Sequence, residues 1–510
     1  MASEVTFQVV SFGCKVNQVE GEALAANLRE IGLREAAREG EAALVIVNTC
    51  AVTGEAARQC RQRIRRALRS GARVIVTGCA AHPAAEDGSL RSMPGLLLVT
   101  PGKQHVADFL RQCGMRSTEC GANDEATGWR RQAVGTTESP TSSACTLRPA
   151  PDSLSSSVHS PFRIPPAALE RSRALVKIQD GCPAACAYCI VPKVRPTVCS
   201  APPEAVLGQV RELIAAGFRE FVLCGIHLGL YGADLAPRAT PPPGVARPRT
   251  GARPCLSGVP HGRPTADDRA APPVTEEAHP RTDLAGLLER LLAVPGLGRV
   301  RLSSLEPTEV SDRLLALLAA EPERLCPHLY IPLQSGDDGV LKRMGRPYAS
   351  ADFLAVVERI RRALPRPAVT TDVLVGFPGE TEAAFAETLR VCREAAFSRL
   401  HVFPFSKRPG TRAAAMKPEV PRTTLHERCR RAVELGHTLA EAYRASLVGR
   451  TAQVVIEKLL PDGGAEGLSE RYVRVRLRGP LPPGAERRMI VPVKTTGLEG
   501  EALSGEVGSG

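Results

Sequence analysis

Short apolar runs alternate with helix-like stretches through the first hundred residues of this 510-residue chain. The strand-like runs are 5–12, 43–48 and 73–77. This alternation predicts an α/β region built on a parallel sheet. One cysteine follows each run, namely Cys14, Cys50 and Cys79. Because the carboxyl ends of parallel strands meet at one edge of a sheet, the three thiols are predicted to emerge together, either as a metal site or as small buried hydrophobes.

The middle of the chain repeats a strand and a helix six times. The predicted strands are 174–178, 221–224, 300–304, 328–332, 370–375 and 400–405. Six such units predict a partial parallel (β/α)6 barrel, in which functional groups gather beyond the carboxyl ends of the strands. Those ends carry Gly225, Ser304, Glu306, Gln334 and Gly376. The repeat therefore predicts a single site at one mouth of the barrel.

Two segments, 115–167 and 236–282, are rich in Ser, Thr, Pro and Gly and lack periodicity. The first is predicted to be a flexible linker and the second a disordered insertion. They divide the chain into an N-terminal open α/β domain at 1–114 and a barrel at 168–425. A connecting helix at 425–447 leads to a small all-β domain at 447–510.

A basic strand is predicted inside the small all-β domain, at 471–478. Period-two alternation places Tyr472, Arg474 and Arg476 on one face and apolar residues on the other. Arginine contacts phosphate and an aromatic ring stacks on bases, although an exposed charged strand face is common in any small barrel. Helical spacing after Cys50 also aligns Arg58, Arg61 and Arg65, either as a solvated face or as a contact for an RNA backbone.

The sequence Gly-Cys-Pro-Ala-Ala-Cys-Ala-Tyr-Cys places Cys182, Cys186 and Cys189 in one tight loop after a predicted strand. Structural zinc and closed iron–sulfur clusters use four protein ligands, so three ligands leave one metal position open for chemistry. The alternative is a zinc site completed by a distant residue.

Composition limits the setting of this chemistry. Lysine and arginine exceed aspartate and glutamate by 66 to 54, giving a net charge of +12 that is compatible with a polyanionic partner. The 16 cysteines lie in a long chain without a recognisable signal peptide, which favours a reducing cytoplasm over a disulfide scaffold. No apolar run is long enough to cross a bilayer, so no membrane association is expected.

Several motifs together resemble the methylthiotransferases of the radical S-adenosylmethionine (SAM) superfamily. Their N-terminal three-cysteine domain, radical SAM barrel and C-terminal TRAM domain correspond to the three regions above. The motifs are G-C-K-V-N at Cys14, K-I-Q-D-G-C at Cys182, G-I-H at Gly225, R-L-S-S-L-E-P at Arg301, H-L-Y-I-P-L-Q-S-G ending at Gly336, V-L-K-R-M at Val340, T-D-V-L-V-G-F-P-G-E-T at Thr371 and L-H-V-F-P-F-S-K-R at Leu400. In detail they are similar to the threonylcarbamoyladenosine tRNA branch.

The resemblance implies two [4Fe-4S] clusters, one held by Cys182, Cys186 and Cys189 and an auxiliary one held by Cys14, Cys50 and Cys79. It implies that one SAM methylates sulfur and another supplies the radical that activates C2 of adenosine 37 in the anticodon stem-loop of tRNA. The expected product is 2-methylthio-N6-threonylcarbamoyladenosine, with a flavodoxin or ferredoxin as electron donor. No catalytic side chain beyond the cluster ligands is implied.

Further residues are carried over from the same resemblance as SAM-site contacts, namely Tyr188, Gly225, Ser304, Glu306, Gln334, Asp372, Gly376 and Glu380. One departure is Pro196 after Arg195, where relatives have glycine, which predicts a different loop after the cluster. The alternatives are a methylthiotransferase acting on another tRNA adenosine or a ribosomal protein, and a noncatalytic metal-dependent RNA-binding module.

Overall fold

The computed structural model describes residues 5–38, 40–85, 88–99, 105–112, 145–147, 171–235 and 283–508. The first region is a six-stranded parallel sheet in the order β2-β1-β3-β4-β5-β6. Its strands are β1 (Thr6–Ser11), β2 (Arg34–Glu35), β3 (Leu44–Thr49), β4 (Arg73–Gly78), β5 (Leu96–Val99) and β6 (Cys145–Leu147). Its helices are α1 (Lys15–Glu30), α2 (Gly54–Arg69), α3 (Gly88–Arg91) and α4 (His105–Gln112).

All six residues of β3 are buried, as expected for a central strand that is covered on both faces. The prediction that β1, β3 and β4 are parallel neighbours is confirmed. β6 lies inside the segment predicted to be a linker, which is a correction: these three residues complete the sheet edge beside β5. The other residues of 115–167, and all residues of 236–282, lie outside the described residues.

The central region contains the six predicted barrel strands. They are β7 (Ala174–Lys177), β10 (Glu220–Cys224), β11 (Arg299–Leu302), β12 (His328–Tyr330), β13 (Ala368–Val375) and β14 (Arg399–Pro404), with a small pair, β8 (Gln179–Asp180) and β9 (Cys199–Ser200). The helices are α5 (Val191–Val194), α6 (Pro203–Ala215), α7 (Leu284–Leu292), α8 (Asp312–Ala320), α9 (Asp338–Met344), α10 (Ser350–Ala363), α11 (Glu382–Ala395) and α12 (Arg422–Ala445).

The six barrel strands form two parallel sheets of three, β7-β10-β11 and β12-β13-β14. Bridges from Val300 to Leu325 and from Ser304 to Tyr330 join the two sheets into one open series. One apolar core lies between this series and its helices, with Phe221, Leu288 and Phe353 at 0% exposure. The predicted partial barrel is therefore confirmed.

The C-terminal region is a closed barrel in the order β15-β16-β17-β19-β18. Its strands are β15 (Thr451–Leu459), β16 (Ala465–Ser469), β17 (Arg474–Arg478), β18 (Ile490–Glu499) and β19 (Ala502–Val507). The predicted all-β character is confirmed. Within the described residues, none of the helices is both long enough and apolar enough for a bilayer span.

Buried charge fastens the small barrel to the central one. Arg299 and Arg301 point inward from β11, and both bind the buried carboxylate of Glu220. Their remaining N–H groups donate to four backbone carbonyls of the small barrel, those of Gln453, Leu468, Ser469 and Glu470. Although burial opposes ionisation, the two guanidinium groups lower the pKa of Glu220 to about 2. The two barrels therefore share a buried, ionised arginine–glutamate network.

Candidate active site

The Cys182 loop begins where β7 ends, and backbone hydrogen bonds fix its shape. The amide of Cys182 donates to the carbonyl of Arg195 at 3.0 Å, and Cys189 donates to Cys186 at 3.2 Å. Ala187 donates to Met344 at 2.7 Å, which ties the loop to the end of α9. The three thiols are partly accessible and free of disulfides. The loop thus holds three sulfurs at the carboxyl ends of the barrel strands.

Burial acts on two groups of the loop, the Cys189 thiol and the Tyr188 phenol. Burial raises the pKa of the Cys189 thiol to about 12. A thiol of this kind binds metal as thiolate only when positive charge is supplied to it. Tyr188 packs half-buried beside the loop, against a small apolar cluster that contains Phe377, and burial raises the pKa of its phenol well above the usual value.

His227 from the G-I-H motif contacts Cys182 directly. Its Nδ1 lies 3.3 Å from Cys182 Sγ, and its Nε2 lies 2.6 Å from Glu309 Oε1. Burial alone would lower the pKa of His227, but the two hydrogen bonds raise it to about 10. The other oxygen of Glu309 accepts the amide of Glu306 at 2.9 Å. A single carboxylate therefore orients a residue on each of two strand ends.

Arg346 connects the predicted SAM-site carboxylate with the cysteine loop. It is 9% exposed, forms an ion pair with Glu306, and places Nη1 3.5 Å from Cys186 Sγ. The V-L-K-R-M motif ends at Met344, two residues before this arginine. Neither Arg346 nor His227 was assigned a role from the sequence, although the G-I-H motif contains His227.

The remaining residues predicted at the SAM site divide into two groups. Ser304 and Gln334 lie half-buried just beyond β11 and β12, Asp372 is half-buried within β13, and Gln334 has a positive φ of 68°. The Gln334 amide donates to the Asp372 carbonyl at 2.8 Å. Gly225 has no room for a side chain, because a Cβ would lie 2.9 Å from Gln179 Oε1. These four residues stay predictions for cofactor contact, with positions that are compatible with it.

Glu380 has a different position from that expected. Its carboxylate accepts the amide of Gly376 at 2.9 Å and binds Arg428 of α12 at 2.9 Å. The side chain is buried and fully engaged in fixing the Gly-Phe-Pro-Gly turn. Glu380 therefore shapes the turn from behind, and a direct contact with SAM is not supported by this geometry.

The second set of thiols comes from three separate strand ends. Cys14 begins α1 after β1, while Cys50 and Cys79 follow β3 and β4. Burial raises the pKa of Cys50 to about 12, and the neighbouring Cys14 and Cys79 contribute to this rise. A Cβ on Gly13 would lie 2.5 Å from Cys50 Sγ, so Cys50 lies against the residue that precedes Cys14. A shared cluster at these three thiols stays a prediction.

A buried ion network lies between the two thiol sets. Arg195 binds Glu20 of α1 and Asp180 of the cysteine loop, at 2.7 Å in each case. Lys177, at 2% exposure, binds the same two carboxylates at 2.7 Å. The carbonyl of Arg195 accepts the amide of Cys182, and its Nη2 donates to Asn17 Oδ1 of α1 at 3.4 Å. Arg195 thus contacts residues next to both sets of thiols. Pro196, which follows it, is compatible with this arrangement.

A single metal ion is the alternative to a cluster at each set of three thiols. In the described ranges, no three His, Cys, Asp or Glu side chains are grouped to hold one metal ion. A cubane cluster binds each thiolate at a separate iron, so its ligands are spaced more widely than those of one zinc ion.

The arginines predicted on α2 line an open groove of about 750 Å³. It is lined by Arg58, Arg61, Gln62, Arg65, Leu68, Arg69, Met93 and Pro94. Arg58 pairs with Glu55 at 2.6 Å, which reduces its free charge. The groove combines guanidinium groups with an apolar floor, a surface that suits a sugar–phosphate backbone.

The strand predicted at 471–478 differs from expectation at its start. Arg474 is exposed and Arg476 lies on the same face, paired with Asp462 at 2.8 Å. Tyr472 precedes the strand with a φ of 62°, and its ring stacks on His328 of the central barrel at 4.8 Å. The alternation is thus confirmed from Arg474 onward. The placement of Tyr472 on the exposed face is wrong, because the positive φ turns its ring into the interface.

The chain is similar to two families and to several proteins of known name. Residues 6–95 match the family described as Uncharacterized protein family UPF0004, and residues 176–392 match the Radical SAM superfamily. Threonylcarbamoyladenosine tRNA methylthiotransferase MtaB of Thermotoga maritima is 32% identical over 473 residues, covering 92% of this chain and 90% of that protein. The MtaB protein of Bacillus subtilis is 32% identical over 476 residues, with coverages of 92% and 89%.

Other similar proteins were also found. A tRNA-2-methylthio-N(6)-dimethylallyladenosine synthase of Mycolicibacterium paratuberculosis is 32% identical over 457 residues, covering 88% of this chain and 75% of that protein. Among solved structures, the radical SAM methyltransferase TsrM of Kitasatospora setae covers 81% of this chain and 75% of that chain, with a TM-score of 0.48 and 14% identity.

The two family matches fall on the two regions that carry the two sets of thiols. An iron–sulfur cluster and SAM are the cofactors of the superfamily that matches the Cys182 region. The similarity to MtaB proteins extends over nine tenths of both chains. The chain belongs to the radical SAM methylthiotransferase family, in its threonylcarbamoyladenosine tRNA methylthiotransferase branch.

Proposed function

We propose that this protein methylthiolates C2 of N6-threonylcarbamoyladenosine at position 37 of tRNA. The observation that carries the proposal is Arg195, whose carbonyl accepts the Cys182 amide and whose guanidinium pairs with Glu20 of α1, the helix that begins directly after Cys14. Radical generation and sulfur delivery must reach the same carbon, so two cofactor sites that share one neighbouring residue meet that requirement. The activity for which the MtaB relatives are named supports this substrate.

The two thiol sets have separate roles in this proposal. Cys182, Cys186 and Cys189 hold the cluster that binds SAM, while Cys14, Cys50 and Cys79 hold an auxiliary [4Fe-4S] cluster. When bound, the cluster and SAM supply the one-electron chemistry that an aromatic C–H bond requires, since such a bond offers no site for acid–base catalysis. An electron donor of the flavodoxin or ferredoxin type, in the cytoplasm, completes the proposal.

The protein's own residues orient and shield the reacting groups. Arg346 and His227 donate hydrogen bonds toward Cys186 and Cys182, which reduces the negative charge that develops on these sulfurs. Ser304, Glu306 and Gln334 present polar groups at the strand ends for the amino and carboxylate groups of SAM. Because the barrel core surrounds the site, bulk water is kept away from a reactive intermediate.

The RNA is proposed to contact two basic surfaces. Arg58, Arg61 and Arg65 line the α2 groove of the N-terminal domain, and Arg474 and Arg476 lie on the small barrel. Phosphate contacts fix the register of a nucleic acid, whereas base contacts determine its identity. The anticodon loop is single-stranded, so its base can leave the stack and enter the barrel mouth.

The test is a reconstituted reaction under anaerobic conditions. Purified protein with both clusters, SAM and a reductant is incubated with an anticodon stem-loop that carries threonylcarbamoyladenosine, and the nucleosides are analysed by mass spectrometry. The expected product is the 2-methylthio nucleoside, with 5′-deoxyadenosine as coproduct. Stem-loops that carry dimethylallyladenosine serve as the matched alternative substrate. Conversion of that RNA in preference to the threonylcarbamoylated one would contradict the proposal.

A further inference from the structure

The helix that follows the Cys182 loop packs into the core of the N-terminal domain. Ile190 comes directly after Cys189 and precedes α5, and Val194 ends α5. Their side chains are 2% and 8% exposed, and they belong to an apolar cluster whose other buried members all lie within residues 42–98. The chain immediately after the cysteine loop is therefore buried in a different domain from the loop itself.

The partner of α5 is the segment that follows Cys79. Ala81 and Ala85 belong to the same apolar cluster, and α5 lies against the short 3-10 helix Pro83–Ala85. Backbone hydrogen bonds run through this segment, because the His82 amide donates to the Cys79 carbonyl at 3.4 Å and the Ala85 amide donates to the His82 carbonyl at 3.0 Å. One short run of chain therefore begins at a thiol of one set and ends against the helix that leaves the other set.

Two further contacts hold the N-terminal domain on the central barrel. Glu20 of α1 pairs with Arg195 at 2.7 Å. At the start of α2, a Cβ on Gly54 would lie 2.8 Å from Ser406 Oγ, beyond β14. The contact at α5 is the apolar one of the three, and close-packed apolar side chains transmit displacement because protein interiors have low compressibility. A shift of the Cys79 segment should therefore move α5, and a shift of α5 should move the Cys79 segment.

We propose that Ile190 and Val194 are positioning residues, which set the separation between the two cofactor sites. This inference rests on the proposed function and names residues that make the two sites act together. Cleavage of SAM needs the Cys182 set alone, whereas the methylthio product needs both sets within reach of one carbon. Misplacement of reacting groups by about 1 Å can cost about a hundredfold in rate. Shortening these two side chains should therefore separate SAM cleavage from formation of the product.

The experiment compares full-length Ile190→Ala and Val194→Ala with the wild type. Each protein is loaded with iron and sulfide and incubated anaerobically with SAM, a reductant and the threonylcarbamoylated stem-loop, and both products are measured in one sample. The ratio of 5′-deoxyadenosine to methylthio nucleoside is expected to rise about tenfold in the two variants. Iron content and the rate of 5′-deoxyadenosine formation should stay at wild-type values. Ile190→Val should keep most of the wild-type ratio, because it removes a single carbon.

A second measurement needs no cofactor. Hydrogen–deuterium exchange in peptides that contain residues 79–85 reports how firmly α5 holds that segment. Exchange there should be faster in Ile190→Ala and Val194→Ala than in the wild type. Ile360→Ala is the matched control, since Ile360 is also buried but lies on α10 in the separate core of the central barrel. This control should lower stability while the product ratio and the exchange at 79–85 stay unchanged.

The outcomes separate this inference from the proposed function. Wild-type product ratios in both Ile190→Ala and Val194→Ala would overturn the inference. An equal rise of the ratio in Ile360→Ala would also overturn it, because general destabilisation would then explain the effect. Val194→Ala decides if Ile190→Ala loses iron, since Val194 lies five residues beyond Cys189. A wild type that cleaves SAM but makes no methylthio nucleoside would contradict the proposed function, and unchanged exchange at 79–85 in both variants would then overturn the inference as well.

Discussion

The two thiol sets reach similar chemistry by opposite routes. Cys182, Cys186 and Cys189 belong to one loop, so the chain itself determines their spacing. Cys14, Cys50 and Cys79 belong to three strand ends, so their spacing exists only when the parallel sheet has formed. The first set therefore depends on a local backbone conformation, and the second depends on the pairing of distant segments.

Both sets share one local device, a glycine before the first cysteine. Gly13 has a φ of 94° and Gly181 a φ of 80°, a region that favours glycine. A Cβ on Gly13 would lie 2.5 Å from Cys50 Sγ, whereas one on Gly181 would lie 1.8 Å from the carbonyl oxygen of Thr197. Gly13 therefore makes room for another cysteine of its set, whereas Gly181 makes room for the backbone.

The largest expected effect separates the two sets completely. Replacing Cys182, Cys186 and Cys189 by alanine should abolish formation of 5′-deoxyadenosine from SAM, while iron at the other set is retained. Replacing Cys14, Cys50 and Cys79 should preserve 5′-deoxyadenosine formation and abolish the methylthio product. Iron analysis, electron paramagnetic resonance and mass spectrometry provide the readouts. Loss of SAM cleavage in the second variant would mean that the two sets are not independent.

The glycine substitutions should reproduce this separation in weaker form. Gly13→Ala is expected to displace the Cys50 thiol and remove about half of the total iron, because one of two clusters would lose a ligand position. Gly181→Ala should affect the other cluster instead. Gly71→Ala is the matched control, since its φ of 80° is similar but a Cβ there would meet no atom within 4 Å. Iron loss equal to that of Gly13→Ala in this control would assign the effect to backbone strain alone.

The network between the two sets can be broken at Arg195. Arg195→Met leaves Glu20 and Asp180 buried with Lys177 as their shared cation. Removing one partner from a buried ion network is expected to destabilise the folded chain by about 3 kcal/mol. Urea denaturation of the wild type and the variant measures this change. Arg29→Met removes an exposed pair with Glu35 and should have a much smaller effect. Similar losses in the two variants would contradict the role assigned to burial.

The smallest expected effect concerns the pH dependence of stability at Asp372, a half-buried residue of β13. Burial raises the pKa of Asp372 from 3.8 to about 6. A carboxyl group whose pKa is raised by folding stabilises the folded chain below its unfolded pKa, and this contribution is lost as the pH rises through about 6. Relative to Asp372→Asn, the wild type should therefore lose on the order of 2 kcal/mol between about pH 4 and pH 7. Parallel stability curves for the two proteins would refute the shift.

The sequence predicted repeated local features well and distant contacts poorly. Strand positions agreed within one or two residues because apolar alternation and runs report burial directly, as at 43–48 for β3. The cysteine loop was readable because its ligands are adjacent. Glu380 was assigned to the SAM site because its motif lies at a strand end, but its partner Arg428 is distant in the chain.

The side chains missed from the sequence share one property, which is that their partners come from other regions. Arg195 meets Glu20 across 175 residues, and Tyr472 meets His328 of another barrel. Neither contact leaves a periodic or local signal. The positive φ of Tyr472, which reverses the direction of its ring, is a consequence of the turn before β17 and was invisible to an alternation rule that assumed a continuous strand.

The contact of Arg299 and Arg301 with four carbonyls of the small barrel has a consequence for how this enzyme can be divided. A chain shortened after α12 would lack these four carbonyls. The guanidinium groups of Arg299 and Arg301, both 1% exposed or less in the full chain, would keep only the carboxylate of Glu220 as a shared partner. Removing the small barrel takes away these four acceptors and uncovers the arginine pair, so the shortened chain is expected to be less stable than the full chain. The C-terminal barrel is therefore an integral part of the catalytic unit and not a detachable accessory.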